Sequence, residues 1–149
     1  MQDVLFRGKR KDNGEWVYGY LFKTINTCYI AYSEQFDDDL FFATENIFIE
    51  VIPETVGQYT GLTDKNWVKI FEGDILSVGC IDSDEVRNCI VRFGEFTDVN
   101  GDGDIMLGFF LEFNDFKCSI LNGKDLGHSL SDVCEVIGNI HDEPKGDAE

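Results

Sequence analysis

Residues 57–75, GQYTGLTDKNWVKIFEGDI, gather side chains able to do chemistry among turn-forming residues. Tyr59 and Thr60 supply hydroxyls, Asp64 and Asp74 supply carboxylates, and Trp67 supplies a flat apolar surface. Together they could line a cleft between two lobes for a small polar ligand or a nucleotide. The same residues admit a structural reading. Thr60 to Asn66 would turn the chain between lobes, Asp64 would accept backbone N–H bonds inside the turn, and Gly73-Asp74 would begin the next strand. The structural reading is preferred, because short acidic side chains in turns bond the local backbone far more often than they catalyse.

Other constellations fall short of the chemistry they resemble. DVNGDGD at 98–104 sets Asp98, Asn100 and Asp102 at the first, third and fifth positions of a calcium loop, with Gly103 at the sixth. Its twelfth position is Phe109 instead of a bidentate Glu, and IMLGFFLEF after it reads as a strand where a helix is required. A solvated hairpin loop is expected. GHSLS at 127–131 places Ser129 like a nucleophile on a sharp turn, but the chain is too short and too rich in strands for that fold, so no hydrolase is expected. His128 and His141 stand at irregular separations from Cys118 and Cys134, unlike zinc-binding spacings. No metal, cofactor or catalytic residue is predicted.

The elements holding these residues are strands. The 149 residues include 13 Phe, 5 Tyr and 2 Trp, a mix that fits pleated sheets, and they suffice for one ordinary domain or two small lobes. DVLFRGKRKDNGEWVYGYLF reads as a hairpin turning at Asp12-Asn13-Gly14. After the turn Trp16, Tyr18, Tyr20 and Phe22 share one face at period two. Strands are expected at 27–32, 46–52 and 55–59, around the acidic loop EQFDDDL, and then at 75–78, 86–93, 105–113, 116–121 and 133–140. A single helical turn is expected near Lys124 to Leu130. The fold class is therefore mainly β with little helix: a small N-terminal β lobe over 1–60, a C-terminal SH3-type β-barrel over 61–141, and a flexible tail over 142–149.

Charge narrows the partners. The formal net charge is −17, from 29 acidic and 12 basic residues, so a phosphate backbone is repelled and direct nucleic-acid binding is not expected. Arg7, Lys9, Arg10, Lys11 and Lys23 cluster at the start and leave the remainder more acidic still. Five cysteines with no CxxC pair suit reduced, buried strand positions, and no apolar run is long enough to span a membrane. A cytoplasmic protein is expected.

FRGKRKDNGEWVYGY, then PETVGQYTGLTDKN followed by KIFEGDI, then EVIGNIHDEP occur in this order across nearly the whole chain. In these motifs the chain resembles the YopX family of phage and prophage proteins. The resemblance implies a mainly β protein with an SH3-type barrel in its C-terminal half, found in a bacterial host cell, with no established activity and no catalytic residues to carry over. Related sequences usually continue TDKN with Gly, where this chain has Trp67. The expected function is that of a non-enzymatic accessory protein acting through protein contacts as a homo-oligomer. The alternatives are an acidic mimic of nucleic acid occupying a basic host protein, and a binder of small ligands at Tyr59, Asp64 and Asp74.

Overall fold

A computed structural model describes residues 5–35, 44–80, 83–97, 103–120 and 130–142. The chain forms two compact units, Met1–Tyr59 and Thr60–Glu149. The acidic loop at 36–39, residues 98–102 of the calcium-like motif, Lys124 to Ser129 and the tail from 143 lie outside the described residues.

The first unit is an antiparallel sheet of β1 (Phe6–Lys9), β2 (Trp16–Lys23), β3 (Cys28–Gln35) and β4 (Thr44–Val51). β5 (Gly57–Thr63) begins in this unit and pairs with β1 at Gly57 and Gln58. The β1–β2 hairpin turns at Asp12 to Gly14 as its sequence predicts: Gly14 takes φ 76° and its N–H reaches the Arg10 carbonyl at 2.9 Å. Alternation along β2 sends Val17 and Leu21 inward against the buried Cys28, Ile30 and Val51. The opposite face carries Tyr18, Tyr20 and Phe22, all exposed.

The sheet curls until its far strands meet. Arg10 bridges Val51, the Lys11 N–H donates to the Glu50 carbonyl, and the Ile52 N–H donates to the Lys9 carbonyl. Such curvature leaves no room for side chains where strands approach. A Cβ on Gly8 would lie 3.0 Å from Val51, and one on Gly19 would run into the Ala31 carbonyl oxygen. A one-turn 3-10 helix, Pro53–Thr55, follows β4 and is tied by the Thr55 hydroxyl, which donates to the Ile52 carbonyl and accepts from the Lys9 N–H.

In the second unit, β6 (Lys69–Phe71) neighbours β5. β7 (Asp74–Cys80), β8 (Ser83–Thr97), β9 (Ile105–Glu112), β10 (Lys117–Ser119) and β11 (Cys134–Asn139) form an antiparallel sheet ordered β10-β9-β8-β7-β11. One helical turn, Leu130–Val133, precedes β11. The core is Ile70, Leu76, Cys89, Val91, Leu111, Ile120, Leu130 and Cys134. The described strands form an open sheet: its end strands β10 and β11 are not paired to each other, so the expected closed barrel is not found among them.

Two local expectations need correction. Thr60 to Thr63, read as turn, continue β5, and the short β6 goes unannounced. The reversal instead lies at Asp64 to Trp67, where the Asp64 carboxylate and main chain close the turn. Substitution at the tightest approach measures the constraint. Gly19→Ala is expected to destabilise the protein by about 3 kcal/mol in chemical denaturation, since a backbone oxygen cannot move aside as a side chain can.

Candidate functional site

The five residues singled out by chemistry occupy the end of the first unit and the beginning of the second. Tyr59 is half-buried, and its N–H donates to the Leu5 carbonyl at 2.8 Å. Thr60 is half-buried too. Its hydroxyl donates to the Ile70 carbonyl at 2.9 Å and accepts from the Leu62 N–H, joining β5 to β6 through a side chain.

Asp64 is the centre of the arrangement, with only 2% of its surface exposed. One carboxylate oxygen accepts the N–H groups of Asn66 and Val68 at 2.8 and 2.9 Å. The other accepts the Val136 N–H at 2.9 Å, from a strand 72 residues further along. The Asp64 main chain closes the same hairpin: its N–H donates to Val68, its carbonyl accepts from Trp67, and the next N–H, of Lys65, donates to the Cys134 carbonyl. Burial by itself would push the carboxyl up, but the N–H donors of Val136, Val68 and Asn66, with the Lys65 charge, outweigh it and hold Asp64 below its usual range. The arrangement thus favours the ionised carboxylate, facing backbone dipoles.

Asp74 is 1% exposed and accepts the Phe71 N–H at 2.8 Å, closing the turn Phe71-Glu72-Gly73-Asp74. Within that turn Gly73 adopts φ 94°; its N–H donates to the Val91 carbonyl in β8, and its carbonyl accepts from Ile140 just beyond β11. One residue thus joins two strands that lie on either side of β7.

Trp67 is the only non-glycine residue with positive φ among the described residues, at 68°. Its position follows from hydrogen bonding: Asp64 to Trp67 form a turn closed by the Trp67 N–H, and Trp67 itself must then enter αL so that the Val68 carbonyl can accept from the Asp64 N–H. Glycine fills that position at no steric cost, whereas a side chain there costs about 1–2 kcal/mol. The indole returns none of this through burial, since it is 83% exposed.

The site therefore organises backbone. Two open depressions among the described residues, of about 390 Å³ beside Arg10, Phe48 and Glu50 and about 510 Å³ beside Phe113, Asp115 and Phe116, are lined by none of the five. No group of three His, Cys, Asp or Glu among the described residues is placed to hold a metal ion. Cys28, Cys89 and Cys134 are buried free thiols; burial pushes Cys89 up to about 12 and Cys134 up to about 11, leaving both protonated near neutrality. No described helix is long and apolar enough to cross a membrane. What sequence reasoning missed is the partner of Asp64, because a backbone N–H at Val136 leaves no mark in residue type.

Two substitutions test these assignments. Asp64→Asn replaces one acceptor oxygen with a donor facing other donors and is expected to cost about 2–4 kcal/mol. Because the folded carboxyl is depressed, its stabilisation is complete above the unfolded value of about 3.9 and is lost as pH falls through the folded value, so the variant is also expected to show a flatter acid limb in denaturation against pH. Trp67→Gly is expected to raise stability by about 0.5–1 kcal/mol, the relief of αL strain being partly offset by the greater freedom of an unfolded glycine.

No match was found among curated proteins. Among solved structures, the crystal structure of protein EF1440 from Enterococcus faecalis is similar in fold, with a TM-score of 0.53 and 24% identity over 97% of this chain and 98% of that one. The family model described as YopX protein matches residues 5–145, and on that match the chain belongs to the YopX family.

Proposed function

We propose that this YopX-family chain is a phage- or prophage-encoded accessory protein that works in the host cytoplasm through protein contacts, as a homo-oligomer and without catalysis, its second unit being a variant of the SH3-type β fold. The observation that carries this reading is the use of polar groups. The buried carboxylates of the most distinctive motif bond backbone N–H groups. Meanwhile large apolar side chains lie uncovered in both units: Tyr20, Phe22 and Phe48 in the first, Trp67, Ile105 and Leu107 in the second. Apolar surface left in water is characteristic of contact sites, and aromatic residues are the commonest anchors in them. Sedimentation velocity across a concentration series tests the proposal. The expected result is a reversible shift from monomer to a defined oligomer at micromolar concentration, and a single monomeric species throughout overturns it.

A second reading rests on a separate observation. Asp84, Glu85, Glu95 and Asp104 are exposed near the ends of β8 and β9 in a chain of net charge −17, a distribution able to occupy the basic site of a DNA- or RNA-binding host protein. Such a mimic displaces duplex DNA from that protein at low salt and loses the effect as salt screens the contact.

A further inference from the structure

β8 is longer than either of its partners requires. Its residues up to Ile90 pair with β7, and from Ile90 to Thr97 they pair with β9. β10 meets β9 only at Phe110 to Glu112. From Phe93 to Thr97 and from Ile105 to Phe109 the two strands therefore run as a ribbon with neither outer edge paired to another described strand. A two-stranded ribbon alone is marginal in water.

The root of the ribbon is marked by a pair of glycines. Gly94 faces Gly108 across the ladder, with φ 153° and 156°. No heavy atom lies within 4 Å of where a Cβ on either would stand, so neither glycine makes room for a neighbour. Both supply a backbone conformation that other residues rarely take, in both strands at once. Alternation places Phe93, Glu95 and Thr97 of β8 with Ile105, Leu107 and Phe109 of β9 on the face that carries the core residues Val91 and Leu111, Glu95 standing opposite Leu107. The core face thus continues past the glycines without cover: Ile105 and Leu107 are each 73% exposed and Phe93 is half exposed.

Charge identifies the occupant. About a two-fold axis each residue meets its own kind, so a contact between copies is disfavoured wherever a charged side chain, acidic or basic, stands on the edge. The edge strands β4, β6, β10 and β11 carry Glu50, Lys69, Lys117 and Glu135 respectively, and the β8 strand of the ribbon carries Glu95. The edge of β9 from Ile105 to Phe110 carries no ionisable side chain. An antiparallel edge is also complementary to itself about a two-fold axis, which sets Leu107 against Leu107 of the second copy and Ile105 against its Phe109.

The geometry points to the β8–β9 arm as the surface on which a second copy of this chain docks, β9 edge against β9 edge about a two-fold axis at Leu107, bringing Ile105 and Leu107 of each copy into the contact. This assignment rests on the homo-oligomeric reading above and names the interface within it. It is tested by light scattering and sedimentation of the full chain beside Leu107→Lys, with circular dichroism and thermal melts as controls of folding, and by mild oxidation of Leu107→Cys beside Val86→Cys, a position also exposed but on the half of β8 that pairs with β7. The expected result is a wild-type dimer, a folded monomeric Leu107→Lys, and a disulfide-linked dimer from Leu107→Cys alone. A Leu107→Lys protein that remains dimeric, or cysteine variants that cross-link alike, overturns the arm assignment while leaving oligomerisation intact. A wild-type monomer at all concentrations overturns both.

Discussion

One carboxylate ties the β5–β6 turn to strand β11 in the second unit. Strand β11 pairs with β7 along one side only, and its other side would present bare N–H groups were Asp64 not there to accept one of them, at Val136. A β edge can be protected by another strand, by charge or by a covering loop. Here a side chain from the β5–β6 turn performs that task, and the same two oxygens fix the turn from which they project. A buried anion would ordinarily be unfavourable; three N–H donors make it tolerable and hold the group ionised. Gly73 and Asp74 repeat the logic a few residues on, joining β8 to the end of β11 through backbone and side-chain bonds instead of packing.

Much of this was legible in the residues. Alternating aromatics after Asp12-Asn13-Gly14 announced β2, and Gly14 does adopt the positive φ that such a turn requires. The preference for a structural Asp64 followed from the tendency of Asp in turns to bond nearby N–H groups, and two of its three bonds are of that local kind. The third was not legible, because backbone donors are identical along the chain and only topology brings Val136 to position 64. β6 was missed for a related reason: three residues cannot establish a period of two. Barrel closure was expected from the number of strands, but counting strands says nothing about which ends meet, and the ends tied by backbone bonds are those of β1 and β4.

Trp67 and Gly14 make an instructive pair. Both stand at the αL position of a tight hairpin, one at no steric cost and one at a cost that packing does not repay. A large, rigid, exposed indole on a strained turn fits contact more readily than stability, and its turn is the one that Asp64 holds rigid. The motif whose side chains could have lined a ligand cleft instead clamps a turn on which Trp67 stands exposed.

The separation of Asp64 from Val136 also bears on how the protein is made. β7 finds one neighbour in β8, close behind it in sequence, but its other neighbour and the partner of Asp64 both reside in β11. During translation the strands of the first unit, β1 to β4, have all been made by Val51, and their pairings involve only residues already synthesised. The second unit must wait until the ribosome has passed residue 136, with one Asp64 carboxylate oxygen and one edge of β7 lacking their final partners in the meantime. Domains emerging from the ribosome in order fold as units, N-terminal first. The two halves of this chain are thus separated in time as well as in sequence, and the later half is the one that spends its nascent life exposed.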